Sequence, residues 1–264
     1  MPFPQHRAKH ARPALFTPQE FLAYQRRIGV PTPRTPGQVV LGFSRGRVRR
    51  AARRLGAVPL AGHDGLYVLG RGARAVGLAQ VRGIGGPSLA LTAEELIVSG
   101  TRRLLIVGFA GAVGPELTVG TTVLCSRALR DEGTSFHYLR AGKWARPSPA
   151  FYRQLAEGLR RYRVPFVTGP SWTIDAPYRE TLAEVRSVRA QGVRTVEMEA
   201  STLFSVARVR GAEAAALFTV SDRLDEPGWV PQFAEADAPL DRLIDLAVAL
   251  LREPLAPSPR GKVQ

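Results

Sequence analysis

Between Val193 and Asp222 the chain passes from a short extended run into a helix and then into a long apolar run. Val193–Met198 reads as extended, Ala200–Arg208 carries apolar residues at helical spacing, and Ala212–Val220 is continuously apolar before it stops at Ser221-Asp222. A strand, a helix and a second strand in succession predict an α/β sheet. Ligands in such sheets sit beyond the carboxyl ends of the strands, so Glu197, Glu199 and Asp222 are expected at one crevice. Glu199 can accept hydrogen bonds from two vicinal hydroxyls, as on a ribose, and Asp222 can hold or deliver a proton. Acids at a helix N-terminus are also favoured by the helix dipole alone. It is the grouping of several at successive strand ends that points to a site.

The rest of the chain follows the same rhythm. Thr17-Pro18-Gln19-Glu20 is a capping box with proline at the first helical position, predicting a helix through about Arg27. Pro31, Pro33 and Pro36 then exclude regular structure until Gln38, so residues 1–37 read as a basic, proline-rich arm with one short helix. From there strands are expected at Val39–Phe43, Leu66–Gly70, Ala75–Val81, Leu104–Phe109, Thr121–Leu129 and Pro165–Ser171. Helices are expected at Gly46–Leu55, Ser88–Ser99, Pro149–Tyr162, Pro177–Gln191 and Pro239–Arg252. In the Pro177–Gln191 helix, Glu180 and Glu184 are read as charge partners of Arg186 and Arg189. With 264 residues, residues 38–253 fit one three-layer α/β domain, and residues 254–264 read as a disordered tail.

Charge needs separate treatment. The formal net charge is +15, and the only lysines are Lys9, Lys143 and Lys262. An arginine bias this broad is a surface property as much as a functional one, because arginine stems also cover apolar surface. Six of the ten residues from Arg45 to Arg54 are arginine, a candidate anion-binding face. Nucleic acid is therefore carried as a rival partner, although no aromatic-rich or recognised nucleic-acid motif accompanies the charge. No apolar run is long enough to span a bilayer, and the basic N-terminus has no apolar core segment behind it, so a cytoplasmic location is expected. Cys125 is the sole cysteine, and His63 and His137 are isolated, so no metal site is expected.

Gly83-Ile84-Gly85-Gly86-Pro87-Ser88 lies between an expected strand and an expected helix, where small residues let backbone amides approach an anion or sugar oxygen. It lacks the third glycine of a dinucleotide fingerprint and the lysine of a P-loop. Taken with Glu94-Glu95-Leu96, Gly108-Phe109-Ala110-Gly111-Ala112-Val113, Val119-Gly120-Thr121, Val196–Ala200 and Ser221-Asp222, it resembles the nucleoside phosphorylase family over roughly residues 38–252. That family comprises purine nucleoside and uridine phosphorylases and the methylthioadenosine and adenosylhomocysteine nucleosidases. The resemblance implies one domain around a twisted mixed β-sheet flanked by helices, and a homo-oligomer, either a dimer or a hexamer. It implies a nucleoside and inorganic phosphate as substrates, with no cofactor.

Carried over by position, Met198 (through its backbone) and Glu199 would bind the ribose hydroxyls, with Glu197 beside them. Asp222 would protonate a departing purine. Arg47 would hold phosphate, near Gly42 and Arg45. Trp172, Asp175 and Arg179 fall in the region that lines the base pocket; equally, Trp172 could be core and Asp175 a helix cap. Phe136-His137-Tyr138 is a further pocket candidate. Three departures touch phosphate: Ile106 stands where phosphorolytic members place an arginine, Phe109 where they place a small hydroxyl residue, and His63-Asp64 near a second arginine. Losing a bidentate arginine from an anion site costs on the order of 2–5 kcal/mol unless another cation replaces it. Arg45, Arg47 and Arg82 are candidates for that replacement, and a phosphate-independent nucleosidase is the alternative activity.

Overall fold

The structure is a computed structural model and describes residues 6, 8–225 and 228–253. Its strands are β1 (Gln38–Gly42), β2 (Val58–Pro59), β3 (Leu66–Leu69), β4 (Val76–Gln80), β5 (Arg103–Val113), β6 (Thr122–Asp131), β7 (Trp144–Ala145), β8 (Phe166–Ile174), β9 (Thr195–Glu197), β10 (Glu213–Asp225) and β11 (Gly228–Pro231). Its helices are α1 (Pro18–Arg27), α2 (Arg45–Leu55), α3 (Gly86–Val98), α4 (Ser135–Tyr138), α5 (Pro149–Arg161), α6 (Leu182–Ala190), α7 (Ala200–Arg210) and α8 (Phe233–Arg252).

All the strands join one mixed sheet in the order β11-β10-β6-β8-β9-β5-β1-β4-β3-β2, with β7 on β6. β10 also pairs with β5, so β5, β10, β6, β8 and β9 form a closed circuit. Side chains alternate across this sheet. Leu104 and Ile106 of β5 face a layer that holds α3 and α7, whereas Leu105 and Val107 face α2, α5 and α8. Burial on both faces is why the central strands read as unbroken apolar runs. Trp172, Val185, Val188 and Val196 make a third, smaller cluster beneath α6.

The α1 capping box forms as expected, Thr17 accepting from the Glu20 amide and Glu20 from the Thr17 amide. A 3-10 turn at Lys9–Ala11 folds the arm back onto α4, with Lys9 Nζ 2.6 Å from His137 Nδ1 and His10 Nε2 2.9 Å from the Phe136 carbonyl.

Four elements differ from expectation. The helix foreseen from Pro177 is a 3-10 turn (Pro177–Arg179) followed by α6, because Thr181 and Glu184 form a second capping box that restarts the helix. Glu184 is therefore spent on the cap, and Arg189 pairs with Glu116. α8 starts at Phe233 and runs through Pro239, earlier than a proline-initiated helix would. β5 and β10 both outrun their apolar cores, since each finds partners on both sides. The expected tail at 254–264 lies outside the described residues.

Candidate active site

β9 ends at Glu197 and α7 begins at Ala200, so the Glu-Met-Glu segment turns at a strand's carboxyl end. The Glu197 carboxylate accepts the amides of Glu199 (2.8 Å) and Ala200 (2.7 Å) and the Thr173 hydroxyl (2.6 Å). It thus caps α7 and ties it to β8. Burial drives its pKa upward, against the pull of those donors. Glu199 reaches the other way, its Oε1 accepting the Gly85 amide at 2.6 Å at the start of α3. Gly85 has φ +87° there, and a Cβ on Gly86 would lie 2.6 Å from Thr202 Oγ1 and 2.8 Å from Thr134 Oγ1. The second glycine is what lets α3 close onto α7. Glu199 is only 6% exposed; burial, reinforced by the charge of Glu197, pushes its pKa up to about 8.

β10 carries Asp222 past a bulge. Val220 pairs with Ala110 and Asp222 with Gly111, leaving Ser221 as the extra residue. Asp222 therefore lies inside the strand rather than at its end. Gly111 also pairs with Val196 of β9, so β9 and β10 flank the same stretch of β5. A Cβ on Gly111 would approach Asp222 Oδ2 to 2.9 Å and Val196 Cγ1 to 3.1 Å. Asp222 is nearly buried, its Oδ1 accepting from Ser221 Oγ (2.6 Å) and its Oδ2 from Trp229 Nε1 (2.9 Å). Glu180, just before α6, is half-buried, and burial plus the nearby charges of Asp222 and Glu184 push its pKa up to about 7. Sequence reading missed both Trp229 and Glu180. Neither carries a local signal, because β11 and the restarted α6 bring them to Asp222.

The phosphate candidates are split. Ser44 adopts φ +67° at the carboxyl end of β1, a strained conformation for a serine. It leads into α2, whose N-terminus has no side-chain cap and no acid in its first turn. Gly42 is needed for packing, since a Cβ there would lie 2.9 Å from Val48 Cγ2. The Arg47 guanidinium lies over the Phe109 ring, 5.2 Å from its centre, and pairs with Asp241 (2.7 Å) and Asp237 of α8. Arg45 pairs with Asp64 at 3.1 Å in an exposed contact. Phe43 covers Gly108, where a Cβ would lie 3.2 Å from its ring, and Ile106 is wholly buried in the apolar layer beneath. Arg54 pairs with Asp245, so Arg45, Arg47 and Arg54 of the basic helix all face carboxylates.

The base candidates do not gather around one point. Trp172 is 1% exposed, packed with Val185, Val188 and Val196, and its Nε1 donates to Asp131 at 2.8 Å. Of the two readings left open for it, the packing favours core over a stacking surface. Asp175 accepts the Gly133 amide at 2.8 Å and Arg179 is exposed. Partial burial raises the pKa of Asp175. A cavity of about 700 Å³ opens between Thr118–Thr122, Tyr162–Val167 and α8, and one of about 400 Å³ lies beside Arg189 and Arg194. Glu199 and Asp222 line neither. Among the described residues no acid, histidine or cysteine cluster could hold a metal ion, and no helix is long and apolar enough to cross a membrane.

The chain is 33% identical over 142 residues to a guanosine phosphorylase of Halorubrum lacusprofundi, the match covering 54% of this chain and 59% of that protein. It is 31% identical over 169 residues to a DeoD-type purine nucleoside phosphorylase of Myxococcus xanthus, covering 63% and 70%. It is 30% identical over 154 residues to a uridine phosphorylase of Thermococcus kodakarensis, covering 52% and 54%. The chain thus spans a little over half the length of the first and third of these relatives. In fold it is similar to a uridine phosphorylase from Vibrio fischeri (TM-score 0.69, 24% identity, 83% of this chain and 92% of that one). It is also similar in fold to a purine nucleoside phosphorylase from Toxoplasma gondii in complex with immucillin-H (TM-score 0.71, 16% identity, 84% and 97%). A family model described as the phosphorylase superfamily matches residues 38–253, and the chain belongs to that superfamily.

Proposed function

We propose that this protein is a nucleoside phosphorylase that cleaves the N-glycosidic bond of a purine nucleoside with phosphate, giving free base and ribose 1-phosphate. The observation that carries the reading is the buried Glu199 carboxyl at the start of α3, on a turn whose strand shares Gly111 with the Asp222 strand. In the reaction a phosphate oxygen attacks the anomeric carbon, and the bond to the base nitrogen breaks with its electron pair leaving on the base. A proton from Asp222 neutralises that base. Glu199, with the Met198 backbone, holds the ribose diol so that nucleophile and acid meet it from fixed positions. The uncapped N-terminus of α2, with Arg45 and Arg47, supports an anion beside the strained Ser44. Inorganic phosphate is the only co-substrate in this reading, no cofactor is needed, and the enzyme works in the cytoplasm as a homo-oligomer.

Two observations favour a second reading, hydrolysis by water. Phe43 packs over Gly108, and Arg47 is already engaged by Asp237 and Asp241. The test is base release from inosine, adenosine, guanosine and uridine with and without phosphate. Phosphorolysis requires release only with phosphate, together with ribose 1-phosphate. Equal release in phosphate-free buffer assigns the hydrolytic reaction, and no release from any of them rejects both.

A further inference from the structure

Trp229 is 62% exposed, yet its indole N–H is committed to Asp222 Oδ2 at 2.9 Å. The hairpin explains how. β11 runs antiparallel to β10, with Asp222 opposite Pro231 and Leu224 opposite Trp229. Trp229 is thus the diagonal neighbour of Asp222 on the same face, within the reach of a large aromatic side chain. Its ring lies 6.4 Å from that of Phe233, tilted by 59°, and Phe233 meets Phe109 edge-on at 5.7 Å. Phe109 in turn carries the Arg47 guanidinium. A continuous aromatic shelf therefore runs from the proposed base acid to the proposed phosphate arginine, with Trp229 and the 43%-exposed Phe233 open to solvent beside Asp222.

We propose that Trp229 is a positioning residue for Asp222 and, with Phe233, the surface on which the departing base stacks; this rests on the nucleoside-cleaving reading above. Indole nitrogen only donates, so Oδ2 is held as an acceptor and the transferable proton belongs on Oδ1. Ser221 Oγ, bonded to Oδ1, can act as donor or acceptor and so can follow the carboxyl as its proton leaves for the base. The negative charge then formed on Asp222 meets two donors already in place. A flat apolar ring next to that carboxyl offers a purine face contact at little entropic cost.

The test uses the full chain with Trp229→Phe, which keeps a ring and removes the donor, and Trp229→Leu, which removes both. Trp229→Phe should lower kcat on inosine roughly tenfold, as for loss of a hydrogen bond to a charged group. Its KM should stay within about twofold, and p-nitrophenyl riboside, whose leaving group needs no acid, should be cleaved at nearly the original rate. Trp229→Leu should show the same kcat loss plus a higher KM. Unchanged kcat on inosine in Trp229→Phe overturns the positioning role, and unchanged KM in Trp229→Leu overturns the stacking role. A second readout is independent of turnover: the Trp229 indole N–H proton, followed by NMR, should move upfield in Asp222→Ala, because it has lost its acceptor. If the wild type cleaves no nucleoside, the proposed function falls, and this resonance still decides the pairing. An unmoved resonance overturns it.

Discussion

The Glu199 carboxylate accepts the Gly85 amide at 2.6 Å, joining the turn after β9 to the first turn of α3. One carboxyl thereby ties α3 to the turn before α7, and in the proposed reaction it would also hold the sugar diol. Glu199→Gln keeps an oxygen for Gly85 but presents an amide N–H₂ in place of the second oxygen. We expect kcat/KM on nucleosides to fall by roughly 10²-fold or more, because a donor replaces an oxygen that the diol would use. Stability should move the other way at high pH. The folded protein holds the Glu199 proton up to about pH 8, far above an ordinary glutamate, so this group favours folding at low pH and that contribution fades as pH rises from about 4.5 through about 8. Thermal melts from pH 5 to 9 should decline less steeply in Glu199→Gln than in wild type. Parallel declines would remove Glu199 as the source.

Asp222→Asn should slow purine nucleosides by roughly 10²–10³-fold, the usual yield of general acid catalysis, and leave p-nitrophenyl riboside far less affected. Steady-state kinetics on both substrates check this. Equal losses would take Asp222 out of the acid role.

Glu180 should leave its own mark on stability. Burial, then the charges of Asp222 and Glu184, push its pKa up to about 7, so this group favours folding at low pH and that contribution is lost as pH rises from about 4.5 through about 7. Thermal melts from pH 5 to 8 should decline less steeply in Glu180→Gln than in wild type. Parallel declines would remove Glu180 as a source of that pH dependence.

Arg47 cannot serve phosphate and two aspartates equally. If it is the phosphate ligand, replacing both Asp237 and Asp241 with asparagine should lower KM for phosphate. Arg47→Ala should raise that KM and also cost roughly 1–3 kcal/mol of stability, since it strands the carboxylates of α8. Urea unfolding and phosphate titration check the two halves separately. Indifference of the phosphate KM to every one of these changes would favour the hydrolytic reading.

The layout of strands and helices was legible because each element reports its own surroundings. β1, β5 and β10 are apolar on both faces, and Thr17-Pro18-Gln19-Glu20 contains its own start signal. The Glu-Met-Glu turn was legible for the same reason, as strand end, acid and helix start are contiguous. What failed to show was anything decided by distant partners. Trp172 and Trp229 look alike in sequence, yet one is sealed under α6 and the other lies open beside Asp222, a difference made by sheet pairing. The basic helix looked like an anion face because Asp237, Asp241 and Asp245 lie almost two hundred residues further along the chain.

The extra residue at Ser221 has a consequence for how this strand can change. Phe218 and Val220 point into the layer that holds α3 and α7, and strict alternation would send Asp222 after them. Counting one residue too many turns the carboxyl to the opposite side, toward Gly111 and the β11 hairpin. Pairing Ser221 in regular register instead of bulging it out would keep every residue of the strand, yet lodge the acid among hydrocarbon with its indole out of reach. What chemistry this strand can perform is thus written in its parity as much as in its composition.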